Sequence, residues 1–442
     1  MREPTGAEYE RVVATAMLNN SVRFRRPWLP GESGFDAYYS RCLRLLDPTS
    51  SAGPGYFSKY GTIGAALGHD GLRFTKVPRL AKLKELVTSR LSALANRVSD
   101  LDRPYPRATN WVDKESPKYV GITTAEETGS TDPIRVFIKD EPHSLKKIEE
   151  GRFRLIWTLS LVDRMVDLIL FYPWSQVEVR NPMEVTAKAG WAPIPAGFSR
   201  MVDEFPQSES VAVDKSSWDW TMPAWVISAY VDVKKYQCHG WDELYDRYVW
   251  NRLVEVLGPQ ASVVLPDGTV WAQNSWGIMK SGWFLTLSLN SMAQEFQHVL
   301  ACFRLGIEPP PVWAMGDDIL TRFKEVPPGY EGALESTGCV VKKVERSREF
   351  AGYDVVGDDV ATIVVNPLYP DKHRHVLRHT PDGEIDDLLT CYCCMYALSD
   401  DRWFEKYYDQ TGVRVELVHS MWAKGLVELK CIRRLPAWLS EE

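Results

Sequence analysis

The stretch VWAMGDDILTRF at 312–323 constrains the fold most, because two apolar, strand-like runs meet at Gly316-Asp317-Asp318 in the pattern of a β-hairpin. Glycine permits the tight turn. Two adjacent carboxylates at a hairpin tip repel each other, and a bound cation relieves that repulsion, so the turn predicts a metal site. Ligation by oxygen without sulfur favours Mg2+ or Mn2+. The acidic tip alone decides little: Gly and Asp are default turn residues, and the chain carries a second such turn, Gly357-Asp358-Asp359, between YDVV and VATIVV.

Three other stretches supply context. In SVAVDKSSWDWT at 210–221, Asp214 ends an apolar strand and Asp219 follows ahead of a helix. With Asp214 beside Asp317 on a neighbouring strand, the pair can hold two Mg2+ ions for phosphoryl transfer, and Asp219 can contact a ribose hydroxyl. In KSGWFLTLSLNSMAQ at 280–294, Ser281-Gly282 reads as a flexible entry to a helix whose Thr286 and Asn290 share one face. A hydroxyl and an amide there can hydrogen-bond a 2′-hydroxyl; the alternative is a capped amphipathic helix with its polar residues outward. In RVFIKDEPHSLKKIEEGRFRLI at 135–156, Arg135, Lys139, Lys146, Lys147, Arg152 and Arg154 alternate with apolar residues. They suit a triphosphate clamp; the alternative is a solvated hairpin balanced by Asp140, Glu141, Glu149 and Glu150.

Hydrophobic residues make up 45% of the 442 and charged residues 25%, so the chain is expected to bury a sizeable core. The net charge of −7 points weakly away from a passive nucleic-acid coat and leaves room for a local basic channel, so it decides little by itself. The N-terminus MREPTGAEYE lacks a signal-peptide core and no window reaches a spanning length, so the expected compartment is the cytoplasm. The eight cysteines are mostly isolated, as for reduced thiols. Cys391 and Cys394 form C-x-x-C, but His373, His375 and His379 upstream fit no standard finger, and zinc is not expected.

Residues 1–205 read as irregular framework with Pro- and Gly-containing loops. Between about 206 and 352 the order is α+β: a strand at Val211–Val213, a helix from Ala224 to Tyr236, a long helix from Trp283 to Leu305, then the hairpin. Beyond 365, LLTCYCCMYAL and WFEKYYDQ predict helices.

In their order and wording, these motifs resemble those of the RNA-dependent RNA polymerases of positive-strand viruses, nearest the sobemovirus-like and polerovirus-like (solemovirid) group. TSSAGPGY at 49–56 looks like motif G, KDEP and RFRLI within 139–156 like motif F, DKSSWDWT like motif A, SGWFLTLSLNS like motif B and AMGDDIL like motif C. GCVVKKVERSREFAGY at 338–353 looks like motifs D and E.

The resemblance implies a closed right hand with an RRM-like antiparallel palm sheet and mostly helical fingers and thumb. Its expected divisions are fingers 1–205, palm 206–235, a fingers insertion 236–282, palm 283–360 and thumb 361–442. Asp214, Asp317 and Asp318 would bind Mg2+ or Mn2+, and Lys342 or Lys343 would donate a proton. Lys139, Arg152 and Arg154 would hold the triphosphate; Asp219, Ser281, Gly282, Thr286 and Asn290 would complete the nucleotide site. Ser51, Gly53, Pro54 and Phe350 would face template or primer, and Gly357 to Asp359 would be a structural turn. Implied partners are RNA, NTPs, a genome-linked viral protein and other replication factors, through which the chain would reach membrane-associated replication sites. A reverse transcriptase, a two-metal nuclease and an RNA-binding module remain as rivals, to be separated by metal-dependent NTP incorporation.

Overall fold

In the computed structural model, the described residues are 2–97, 131–141 and 145–403 except 260, 274, 360, 361, 397 and 402, together with 104 and 143. WFEKYYDQ, apart from Trp403, lies outside them.

The N-terminal part is more helical than the loop-rich framework expected from its Pro and Gly content. Helix α1 (Gly6–Asn19) starts in a capping box, the Thr5 hydroxyl accepting from the Glu8 amide and the Glu8 carboxylate from the Thr5 amide. Helix α2 (Val77–Asn96) buries Leu83, Val87, Leu91 and Leu94, spaced to fall along one face. Strands β1 (Ile134–Ile138) and β2 (Leu155–Thr158) pair antiparallel, and helix α3 (Leu161–Arg180) follows from its Ser160 cap. α2 and α3 are locked by a buried ionic network in which Arg90 reaches Asp163 at 2.6 Å and Arg252 grips Asp167 at 2.7 and 3.1 Å.

Strand β3 (Ser210–Lys215) opens the α+β portion and helix α4 (Trp225–Gln237) follows it. Helix α5 (Glu243–Leu257), which carries Arg252, packs on α2. Strands β4 (Ser262–Val264) and β5 (Val270–Ala272) then join β1 and β2 in a sheet of order β2-β1-β4-β5, so the segment after α4 returns to the N-terminal part. Helix α6 (Thr286–Arg304) packs against α1 and α4.

Strands β6 (Val312–Met315) and β7 (Asp318–Arg322) form the expected hairpin, and β8 (Val341–Arg346) completes a fully antiparallel sheet of order β8-β3-β7-β6. That order sets β3, with Asp214, between the strand carrying Lys342 and the strand carrying Asp318. The α+β antiparallel sheet backed by helices is the palm architecture expected.

Helix α6 begins at Thr286, three residues later than the apolar period suggested. Residues 280–285 are held as turns on β2: a Cβ at Gly282 would lie 1.9 Å from the Trp157 carbonyl oxygen, so the glycine is there for close approach, not flexibility. Strands β9 (Glu349–Phe350), β10 (Tyr353–Val356) and β11 (Val364–Pro367) make a small sheet. Helices α7 (Pro370–His379) and α8 (Ile385–Met395), the second matching LLTCYCCMYAL, share a separate core of Leu377, Leu389, Tyr392 and Tyr396.

Candidate active site

The β6–β7 hairpin is anchored from below and left open at its tip. Trp313, Ala314, Ile319 and Leu320 are buried, whereas Asp317 and Asp318 face solvent. Gly316 has φ +68°, a conformation that favours glycine, and its amide donates to the Ser291 hydroxyl of α6 at 2.9 Å. On the outer edge, Lys188 donates its amide to the Ala314 carbonyl at 2.8 Å and holds its ammonium over the Trp313 ring. Ser291 and Lys188 were not singled out in the sequence; the short-range pattern carries no sign of these long-range contacts.

β3 pairs with β7 through Val213↔Ile319, so Asp214 lies one residue past the last pair, level with the start of β7 at Asp318. On its other side Asp214 is in register with Lys343, but a bulge between Val341 and Lys343 changes which side chain reaches it. The Lys342 ammonium donates to the Asp214 carboxylate, while Lys343 pairs with Glu345. That hydrogen bond raises the Lys342 pKa further above the lysine value.

Carboxylates crowd this end of the sheet. Although open to the cleft, Asp318 is pushed up to about 6 by surrounding protein and by Asp317 and Asp214, against a hydrogen bond from the Ala351 backbone. Asp219 is pushed up to about 6 by burial and by Asp317. The donors are all oxygen, and a cation, the Lys342 ammonium, already rests on one of them, so the set fits a divalent ion. Among the described residues no three ligating side chains form a ready-made cage, and the Asp214 carboxylate accepts from the Lys342 ammonium.

Asn290 and Asp219 are brought together; Thr286 is not. The buried Asn290 carbonyl accepts from Trp218 Nε1 at 2.9 Å, its side chain also hydrogen-bonds Asp219, and the Asp219 backbone carbonyl accepts from the Met279 amide at 2.8 Å. Thr286 gives its hydroxyl to the carbonyls of Lys280 at 2.7 Å and Trp283 at 2.9 Å, closing the turn before α6. Ser281 donates to the Leu155 carbonyl at 3.0 Å, so Ser281 and Gly282 clamp this turn onto β2.

Of the three expected triphosphate cations, two converge: Lys139 lies 2.8 Å and Arg154 3.3 Å from the Glu141 carboxylate, while Arg152 turns to Glu150. Arg154 also acts electrostatically on Asp219, linking this loop to the carboxylate centre.

In the 49–56 stretch, Ser51 accepts from the Gly53 amide at 3.1 Å, and Pro54 follows the glycine in the same half-buried loop. Gly53 has φ +69°, and a Cβ there would stand 2.2 Å from the Leu159 carbonyl oxygen, so the loop is seated on the residues joining β2 to α3. Phe350, expected to face the primer, is instead buried, 5.5 Å from Trp191 and 6.2 Å from Trp313 between ring centroids. Its ring packs against Trp313 of the hairpin, and its neighbours reach the site instead, the Ala351 backbone by a hydrogen bond to Asp318 and Glu349 electrostatically.

The second acidic turn has a different occupation. Asp358 is 2.7 Å from the fully buried Arg348 and accepts from the Gln207 amide at 3.0 Å. Near the C-x-x-C, His373 shares a 2.7 Å hydrogen bond with Tyr396, Cys391 is exposed, and the Cys394 side chain lies outside the described residues.

A family model described as viral RNA-dependent RNA polymerase matches residues 112–322. The Sicinivirus 3Dpol RNA-dependent RNA polymerase superposes with a TM-score of 0.65 at 15% identity, covering 97% of this chain and 87% of that one, a likeness of fold. Over residues 112–322 in sequence, and in its fold, the chain is similar to the viral RNA-dependent RNA polymerases.

Within them its relatives point to the solemovirid group. It is 32% identical over 195 residues to the replicase polyprotein P2AB of Southern bean mosaic virus, covering 43% of this chain and 19% of that protein. It is 30% identical over 243 residues to protein P1-P2 of potato leafroll virus, covering 50% and 21%. The chain thus spans about a fifth of the length of these curated relatives.

Proposed function

We propose that this chain copies viral RNA, extending a 3′-hydroxyl end with nucleotides from NTPs under the direction of an RNA template. The observation that carries the reading is the convergence of Asp214, Asp317, Asp318 and Asp219 at one end of the palm sheet, beside Lys342 and within electrostatic reach of Arg154.

In this reaction the 3′-hydroxyl oxygen attacks the α-phosphorus, the bond to the β-phosphate oxygen breaks, and pyrophosphate leaves. Asp214, Asp317 and Asp318 are the residues to hold Mg2+ or Mn2+, which when bound lower the pKa of the 3′-hydroxyl and neutralise phosphate charge. Lys139 and Arg154 steer the triphosphate, with Arg152 at the outer rim. Lys342 is the residue to protonate the departing pyrophosphate, because its ammonium already lies on the catalytic carboxylate whereas Lys343 is engaged elsewhere. Asn290 fixes Asp219 for the ribose hydroxyls, and Thr286, Ser281 and Gly282 hold the supporting turn. Ser51, Gly53 and Pro54 form a loop suited to the template strand.

The partners are an RNA template, NTPs and, by likeness to the solemovirid replicases, a genome-linked protein and other replication proteins in the host cytoplasm. Among the described residues no helix is long and apolar enough to cross a membrane. The test is incorporation from all four NTPs on a defined RNA template with Mg2+ or Mn2+. Template-dependent elongation supports the reading; RNA shortening, dNTP-only synthesis or binding without incorporation contradicts it.

A further inference from the structure

Glu141 carries more positive charge than its neighbourhood in sequence supplies. Besides Lys139 at 2.8 Å and Arg154 at 3.3 Å, it receives Lys372 at 3.3 Å, from the first turn of α7 in the C-terminal lobe. The Glu141 side chain is 12% exposed and covered by these cations, whereas Lys139, Arg154 and Lys372 keep 36%, 61% and 46% exposure. Burial pushes the Glu141 carboxyl up, yet the three cations outweigh it and hold it at about 2.

Charge counting shows what the cluster is fit for. One carboxylate against three cations leaves two positive charges unbalanced, and the exposed faces of those cations are complementary to a polyanion. The neck of the loop is fixed, since the Lys139 amide donates to the Arg154 carbonyl at 2.8 Å. Both side chains therefore start from defined backbone positions. Lys372 arrives from a separate hydrophobic core, so Glu141 is a polar joint between the β1–β2 loop and that lobe.

We infer that Lys372 is a further cation of the nucleotide-entry channel, and that Glu141 is an exchangeable counter-ion occupying the triphosphate's place. When the triphosphate of an incoming nucleotide enters, Lys139 and Arg154 turn from Glu141 to the phosphates. Glu141 stays paired with Lys372, so nucleotide binding and the contact between the two lobes become coupled. The inference rests on the assignment of Lys139 and Arg154 to the triphosphate.

The experiment is steady-state elongation by the full chain on a primed RNA template, with KM for NTP and kcat read separately. The variants are Arg154→Ala, Lys372→Ala, Lys372→Arg, Glu141→Gln and the Glu141→Gln/Lys372→Ala double variant, each checked for an unchanged melting temperature. Lys372→Ala is expected to raise KM about threefold to fivefold, the scale of one partly exposed ion pair, with kcat held. Lys372→Arg is expected to restore KM, and in the Glu141→Gln background Lys372→Ala should add less than it does alone. A normal KM in Lys372→Ala, or additive effects in the double variant, overturns the role of Lys372 while a raised KM in Arg154→Ala leaves the triphosphate assignment standing. A normal KM in Arg154→Ala overturns both.

Discussion

Lys342 lays its ammonium on the carboxylate of Asp214, while Lys343, one residue further along the same strand, reaches Glu345. The β-bulge at Val341–Lys343 makes the difference, turning two adjacent lysines of equal chemistry to different partners. Lys342→Ala is therefore expected to lower kcat by about 100-fold, the scale of one lost proton donor. Lys343→Ala is expected to stay within about threefold, and single-turnover incorporation by the two variants checks the contrast.

Metal binding is expected to stabilise the protein in a pH-dependent way. Asp219 and Asp318 both titrate at about 6, above the ordinary aspartate value. The neutral form is favoured in the fold, so the stability they contribute is complete below the unfolded value near 4 and lost as pH rises through about 6. A divalent cation offsets that loss once the carboxylates ionise. Mn2+ at about 100 times its dissociation constant should raise stability by about 2.7 kcal/mol at pH 7.5 and far less at pH 5. Thermal melts with and without Mn2+ at both values check this, and Asp317→Asn should shrink the shift.

Asn290 holds Trp218 and Asp219 together, so removing its amide should disturb ribose recognition. Asn290→Ala is expected to reduce discrimination against dNTPs by about 10-fold, with about 1–2 kcal/mol of destabilisation from the stranded Trp218 N–H. Thr286→Ala is expected to act differently, loosening the turn before α6 and raising KM for both nucleotide classes together. Competition between NTP and dNTP on one template separates the two.

Gly282 approaches the Trp157 carbonyl too closely for any side chain. Gly282→Ala is expected to cost about 1–3 kcal/mol, because backbone rather than a flexible side chain must yield. It should also lower elongation by pulling Ser281 off β2. Melting temperature and rate measured together check that both move.

The palm was the most legible part of the sequence. Val211–Val213, the helix after Pro223 and the hairpin at Gly316 each carry a complete local pattern, alternation or helical period plus a turn residue. Asp214, Asp317, Asp219 and Asn290 could be named because ordered motifs place them. Which way Lys342 and Lys343 point, the packing of Phe350 on Trp191 and the arrival of Lys372 on Glu141 depend on a bulge and on contacts across more than a hundred residues. Helix α6 starts later than the apolar period through Trp283 and Leu285 suggests, because a turn closed by the Thr286 hydroxyl delays it.

The two Gly-Asp-Asp turns give the most direct test, since identical tripeptides have opposite surroundings. Asp317 stands among carboxylates at the sheet end, whereas Asp358 is tied to the buried Arg348. Template-dependent RNA synthesis, normalised to folded protein, should fall at least about 100-fold in Asp317→Ala. In Asp358→Ala it should remain within about threefold, with about 1–3 kcal/mol of stability lost as the buried Arg348 loses its carboxylate partner. Equal loss of synthesis per folded molecule in both variants, or retention in Asp317→Ala, would contradict the assignment of the catalytic centre.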